Sequence, residues 1–313
     1  MAYYKAVLLG TVLLLPMAII GQQLPHYTLY MANNFILNPA LAGIEDYTDL
    51  KLSVRSQWVG IEDAPKTLYL TAHAPINNHL IKQNRFGIGG KIFMDKTGPL
   101  SLSSAEVNAA YHIRVSRRYR LSLGIGTGAI HHRLAINKLR LEDPSDKLYG
   151  LSDFGKTAPW VNAGIWFYST DLYVGLSVQN LLEQRGLSAS LTSSGMQLRL
   201  QRHYFVTAAY RFHFGDFYLT PSAMLKFASL IPPGVDINLK AQFSDLMWTG
   251  INWRHQDSTG IMVGVFINPT MNIAYSYDMT NSSLRKHTSG SHEIILGINI
   301  NNDWGPKCPP RAW

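Results

Sequence analysis

The chain has 313 residues, 46% of them apolar and only 15% charged, whereas an ordinary soluble domain carries about 25% charged residues. Its 7 Trp, 16 Tyr and 12 Phe exclude a disordered chain, and its single Cys, Cys308, excludes an intramolecular disulfide and any Cys-rich metal centre. The formal charge of +8 comes from basic residues spread singly along the chain, so no nucleic-acid footprint forms and contact with anionic lipid head groups is favoured instead.

In chain order, residues 1–21 read as a signal peptide: Lys5 precedes an apolar run from Ala6 to Leu15, Pro16 ends it, and Gly21 offers a small residue for cleavage. No later run approaches the roughly 20 apolar residues of a membrane helix, which excludes helical spans. Residues 22–47 lack alternation and contain the turn-forming Asn38-Pro39. Tyr27, Tyr30, Met31, Phe35 and Ile36 would face water in a loose leader. The segment is therefore expected to fold as a plug into the periplasmic mouth of the strand-rich region that begins at residue 48, with a loose periplasmic leader as the alternative.

From residue 48 to residue 302 the dominant signal is alternation with period two. Between Ala105 and Val115 the odd positions are Ala, Val, Ala, Tyr, Ile and Val, while the even ones include Glu106, Asn108, His112 and Arg114. The pattern predicts about fourteen strands, near 48–57, 66–75, 85–95, 102–115, 118–132, 157–168, 171–180, 200–213, 216–228, 235–245, 247–256, 259–267, 270–278 and 292–302. Pro221, which has no N–H to give, predicts a bulge or weak pairing. Links after even strands are mostly short, and the long ones, 133–156, 181–199 and 279–291, come after odd strands. That alternation, and strands about as long as the 9 to 11 residues that cross a bilayer at a tilt, point to an all-β transmembrane antiparallel barrel rather than a soluble sandwich.

In such a barrel Val107, Ala109, Ile165, Leu176, Val263, Val265, Leu296 and Ile298 face lipid, and Glu106, Arg211, Lys226, Lys240, Arg254 and Glu293 face a lumen where opposite charges pair. Aromatics near strand ends, among them Tyr69, Tyr119, Trp160, Tyr168, Tyr204, Phe212, Phe217, Trp248, Trp253 and Tyr277, serve either as interfacial girdles or as ordinary strand formers. An even strand number places both termini on the periplasmic side, including a tail at 303–313. Chemistry is sparse. His131 and His132 are adjacent and point to opposite faces, no HExxH, Walker or GxSxG pattern occurs, and Gly124 to Gly128 reads as small lumen-facing residues. No catalytic, cofactor-binding or metal-binding residue is assigned.

The run from Pro25 to Met31 followed by Asn38-Pro39-Ala40-Leu41-Ala42-Gly43 resembles the start of the PorP/SprF family of type IX secretion outer-membrane proteins. Arg55-Ser56-Gln57-Trp58-Val59-Gly60 with Ala64-Pro65-Lys66-Thr67 is similar to its second block, and Gly87-Ile88-Gly89 with Asp95-Lys96-Thr97-Gly98-Pro99 to its third. Ser291-His292-Glu293-Ile294 near the end is again family-like. Leu29 departs from the family's polar residue, and the tail past residue 303 departs from a simple barrel end.

The resemblance implies a noncatalytic barrel, integral to the bacterial outer membrane, that supports secretion, gliding or surface anchoring of adhesin-like cargo in Bacteroidota. The partners it implies are outer-membrane lipids, a periplasmic ring or peptidoglycan-associated assembly, and the C-terminal domain of secreted cargo. Tyr27, Tyr30, Met31, Asn38, Pro39 and Gly43 are the candidate plug or partner-contact residues, and Gln57, Trp58, Gly60 and Pro65 the candidate outward loop, at the opposite end. The alternatives are an outer-membrane channel for small hydrophobic or polar solutes and a barrel hydrolase.

Overall fold

Side chains that alternate every second residue stand on opposite faces of a pleated strand, and here that alternation builds one antiparallel sheet that closes on itself. The computed structural model describes residues 25–76, 84–138, 153–182, 201–229, 231–244 and 246–300. The strands are β1 (Thr48–Ser56), β2 (Lys66–Ile76), β3 (Arg85–Thr97), β4 (Leu100–Arg114), β5 (Arg120–Leu134), β6 (Phe154–Tyr168), β7 (Leu172–Gln179) and β8 (His203–Tyr210). They continue as β9 (Phe212–Phe214), β10 (Phe217–Ala228), β11 (Ile231–Phe243), β12 (Met247–Arg254), β13 (Ser258–Asn268), β14 (Met271–Thr280) and β15 (Ser291–Ile300). Both β8 and β9 pair with β10 as parts of one span, so the fifteen segments make fourteen crossings, and β15 pairs with β1 to close the barrel. The interruption has the expected cause: β10 pairs with β8 from Ser222 onward and with β9 up to Leu219, and the gap falls at Thr220 and Pro221.

All eight residues expected on the lipid face point outward, from Val107 at 66% exposure to Val263 at 37%. All six charges expected in the lumen point inward. The longest connections, 135–153, 180–202 and 281–290, leave one end of the barrel, which marks it as the outward end. The alternation of loop lengths is less regular than expected. The link between β3 and β4 at that same end is only Gly98 and Pro99, because pairing runs to Thr97 and Leu100. The link between β2 and β3 at the other end spans residues 77–84. The aromatics divide by strand parity: Tyr204, Phe212, Phe217 and Trp253 face outward, whereas Tyr69, Trp160, Tyr168 and Trp248 are buried in the lumen. The signal peptide expected at 1–21 and the tail at 303–313 lie outside the described residues.

The segment before β1 departs from the expected position. Three short 3-10 turns, Thr28–Ala32, Asn34–Ile36 and Pro39–Leu41, run inside the sheet and are almost wholly buried. Successive inward residues of β2 trace the descent. Tyr27 packs edge-on against Tyr69 with ring centroids 5.2 Å apart, Asn33 donates to Thr71 at 2.9 Å, and Phe35 packs on His73 at 4.7 Å. The Gly43 amide then donates to His73 Nδ1 at 3.3 Å, close to where the chain turns into β1. The segment is thus not confined to the periplasmic mouth. It enters near the outward end at Pro25 and His26 and leaves at the other end through Ile44 to Tyr47.

Candidate functional site

At the outward end of the lumen, strand parity turns Arg55 of β1, Asp278 of β14 and Glu293 of β15 inward, and all three are 2% exposed or less. Arg55 donates to Asp278 at 2.8 Å and to Glu293 at 3.2 Å. Thr28 completes the cluster: its amide donates to Glu293 at 2.8 Å and its hydroxyl to Asp278 at 2.6 Å, while Arg55 reaches the Thr28 oxygen at 3.0 Å. Buried charges are tolerated only when paired and hydrogen-bonded, and here the pairing includes the backbone of the inner segment.

Midway down, the Tyr30 hydroxyl accepts from Asn238, Met31 Sδ accepts from Ser222 at 3.3 Å, and Lys91 pairs with Glu106 at 3.1 Å beneath the Phe35 ring. Lower still, Asn38 Oδ1 caps the Ala40 amide at 2.9 Å, and its Nδ2 donates to the carbonyls of Ile165 and Leu176, each at 3.1 Å. Ser122 donates to the Ala40 carbonyl at 2.6 Å, and His112 meets that of Ala42 at 2.8 Å. The segment can lie this close because glycines make notches in the wall. A Cβ at Gly87 or at Gly124 would overlap the backbone of Ala42 or of Ala40, and Gly43, at φ +66°, passes against Gly87 in turn. The lumen-facing glycines of β5 therefore have a use: Gly124 seats Ala40.

Tyr27, Tyr30, Met31, Asn38, Pro39 and Gly43 are accordingly brought together, but on the barrel wall. Each is buried at 9% exposure or less or sits in a wall notch, packed against the β-strands within this chain. Gln57, Trp58, Gly60 and Pro65 lie in the turn between β1 and β2. The Gln57 amide donates to the Pro65 carbonyl at 2.9 Å, and Val59 is bonded to Gly290 at 2.8 Å and Ser289 at 2.7 Å, which fastens the first outward loop to the last. Trp58 adopts a left-handed backbone at φ +50°, with its amide donating to Ser291 Oγ at 3.1 Å.

The first block is not confined to the opposite end from the second; its N-terminal part reaches the same outward mouth. Pro25, His26 and Tyr27 share one cavity of about 710 Å³ with Gln57, Trp58 and Pro65 at the outward mouth. Its floor descends to Leu37, and Trp160, Phe205 and Met224 give it apolar wall. His26 lies among cations here. Burial, then the charges of Lys226, Arg254 and Arg55, hold its imidazole well below the usual value, so it is neutral at pH 7. Among the described residues, no group of three His, Cys, Asp or Glu side chains is placed to hold a metal. Strand parity marks Arg55, Asp278 and Glu293 as inward, but Thr28, outside any strand, carries no sequence signal for its part in the anchor.

The model of the family described as "Type IX secretion system membrane protein PorP/SprF" matches residues 19–298. No curated protein matches the sequence. Among solved structures, a TodX deletion mutant, described as a monoaromatic hydrocarbon channel, is 7% identical at a TM-score of 0.51, over 85% of this chain and 94% of that one. CymD, another monoaromatic hydrocarbon channel, is 10% identical at 0.49, over 90% and 94% of the two chains. A Pseudomonas aeruginosa FadL homologue is 12% identical at 0.47, over 84% and 91%. At 7% identity the likeness to the TodX mutant is one of fold alone.

Proposed function

The chain belongs to the PorP/SprF family of type IX secretion system membrane proteins, and from that premise we propose that it is a noncatalytic docking barrel of the machinery, built to hold partners at its two mouths rather than to pass solutes. The observation that carries this reading is the inner segment, which occupies the lumen from the Arg55 cluster down to Gly43 and is hydrogen-bonded to the wall at each level. A barrel filled in this way acts as a plugged scaffold. The outward cavity, with Gln57, Trp58 and Pro65 on its rim, receives part of an exported protein such as the C-terminal domain of an adhesin. Gly60 keeps the loop in the bend that presents them. The periplasmic mouth, where Ile44 to Tyr47 emerge beside Arg85, meets the ring or peptidoglycan-associated components of the gliding and secretion apparatus of Bacteroidota.

The test replaces Gln57 and Trp58 with Ala in the full-length protein. Reduced surface display of cargo and reduced copurification of cargo in mild detergent, at unchanged barrel levels, support the reading. Unchanged display contradicts it. A second reading, a channel for small hydrophobic or polar solutes, draws on the apolar wall that Trp160, Phe205 and Met224 give the outward cavity. Solute uptake that depends on these three residues would favour it.

A further inference from the structure

On the outer surface of β2 to β5 the apolar belt ends in a row of cations. The register places Lys66 opposite Lys96, Lys96 opposite Ser101, and Ser101 opposite Arg133, so the four positions lie side by side across four adjacent strands. Neighbouring strands are about 4.8 Å apart, which makes the row about 14 Å wide. Lys66, Lys96 and Arg133 are exposed, and Lys138, also exposed, lies beside Lys96 at one flank. The next row toward the membrane centre is Leu68, Met94, Ser103 and His131, and the one beneath it is Leu70, Ile92, Ala105 and Ala129. From the outward rim inward, the surface therefore changes from cationic, to half polar, to aliphatic. On β14 and β15, separated from β2 only by β1, the surface is aromatic instead, with Tyr275 and Tyr277 packed around His292.

Like charges directly opposite on paired strands are destabilising. Lys66 and Lys96 are so placed, with Asp63 near Lys96 and Asp153 at 2.7 Å from Arg133 as flanking carboxylates. An arrangement of that kind is relieved by an anion lying across it, through charge-assisted hydrogen bonds. We propose that Lys66, Lys96, Ser101 and Arg133 form a seat for the phosphate of a phosphorylated glycolipid in the outer leaflet. The two lysines and the arginine hold the phosphate, Ser103 and His131 hydrogen-bond sugar hydroxyls below it, and the acyl chains lie along Leu68, Leu70, Ile92 and Met94. The inference rests on the chain's place in the outer membrane and not on its role in secretion, so it stands or falls independently of the docking reading.

The test uses full-length protein in a mild detergent, with bisphosphorylated lipid A and its dephosphorylated form as probes and native mass spectrometry as the readout. The wild type is expected to take up the phosphorylated probe about tenfold more tightly, the equivalent of one charge-assisted bond retained over the other probe. The K66Q/K96Q/R133Q variant is expected to bind both probes alike, while still running as a folded barrel on an unheated gel. K96Q alone provides the same comparison with less perturbation, and is expected to lose part of the preference. Equal uptake of both probes by the wild type overturns the proposal, as does a preference that survives in both variants. Displacement of lipid A by millimolar inorganic phosphate also overturns it, since that outcome marks a free-anion site.

Discussion

Arg55 and Glu293 face each other across the seam where the first strand meets the last, register partners on β1 and β15 whose side chains approach to 3.2 Å. The same carboxylate accepts the Thr28 amide, so one buried cluster spans the closing seam and also holds the segment inside it. Breaking a buried ion pair from one side leaves an uncompensated charge, which costs about 3 to 5 kcal/mol. Arg55→Met is therefore expected to lower the unfolding midpoint in urea, tracked by heat-modifiable gel mobility, more than the double change Arg55→Met with Glu293→Gln does. Equal loss in both variants would show that the pairing itself contributes nothing.

The glycine notches make a steric prediction. A Cβ at Gly87 has no room against Ala42, whereas one at Gly90 would make an ordinary 3.5 Å contact with the Glu106 carbonyl. Gly87→Ala should lift the inner segment from the wall and expose it to added protease, with the barrel still closed. Gly90→Ala should leave it protected. Similar cleavage of the two variants is the outcome against this.

A pH dependence arises from His26, whose imidazole is held below its ordinary value by burial and neighbouring cations. A base depressed in the folded state binds fewer protons there than when released, so its contribution is present above about pH 6.5 and lost as the pH falls below that value. The seated segment should therefore be more protease-sensitive at about pH 5 than at about pH 7.5, the gap being that of a single titrating group. His26→Gln should shrink that gap. A gap of the same size in the variant would assign the effect to another group.

Lipid-facing positions carry a depth-dependent cost for charge. Val263 lies midway along β13 and points outward. Val263→Arg is expected to destabilise the barrel by about 2 to 4 kcal/mol, measured by reversible unfolding in lipid vesicles. A change near zero would place Val263 away from the hydrocarbon.

The strands were legible because alternation has a fixed period that lipid outside and polar groups inside both enforce. That is why Val107 and Glu106 could be assigned to opposite faces from their positions alone. The course of the inner segment was not legible. Its 3-10 turns have no apolar period, and its partners, Thr71, Ser122, Ile165 and Glu293, lie on strands far apart in sequence. Position before the first strand suggested the periplasmic mouth. What overrode that suggestion is a set of complementary shapes, with Ala40 and Ala42 against Gly124 and Gly87, and each of those residues looks unremarkable in its own stretch of chain. The aromatics Tyr69 and Trp160 were ambiguous for a related reason, since an aromatic on a strand suits either face until its parity is fixed by neighbours.

Planar-bilayer recording of the full-length protein beside a variant lacking residues 22–47 bears most directly on the central claim that the barrel is a filled scaffold. A filled scaffold gives no steady conductance when intact and a steady ohmic conductance once the inner segment is removed. A large steady conductance from the intact protein would contradict it and favour the solute-channel reading.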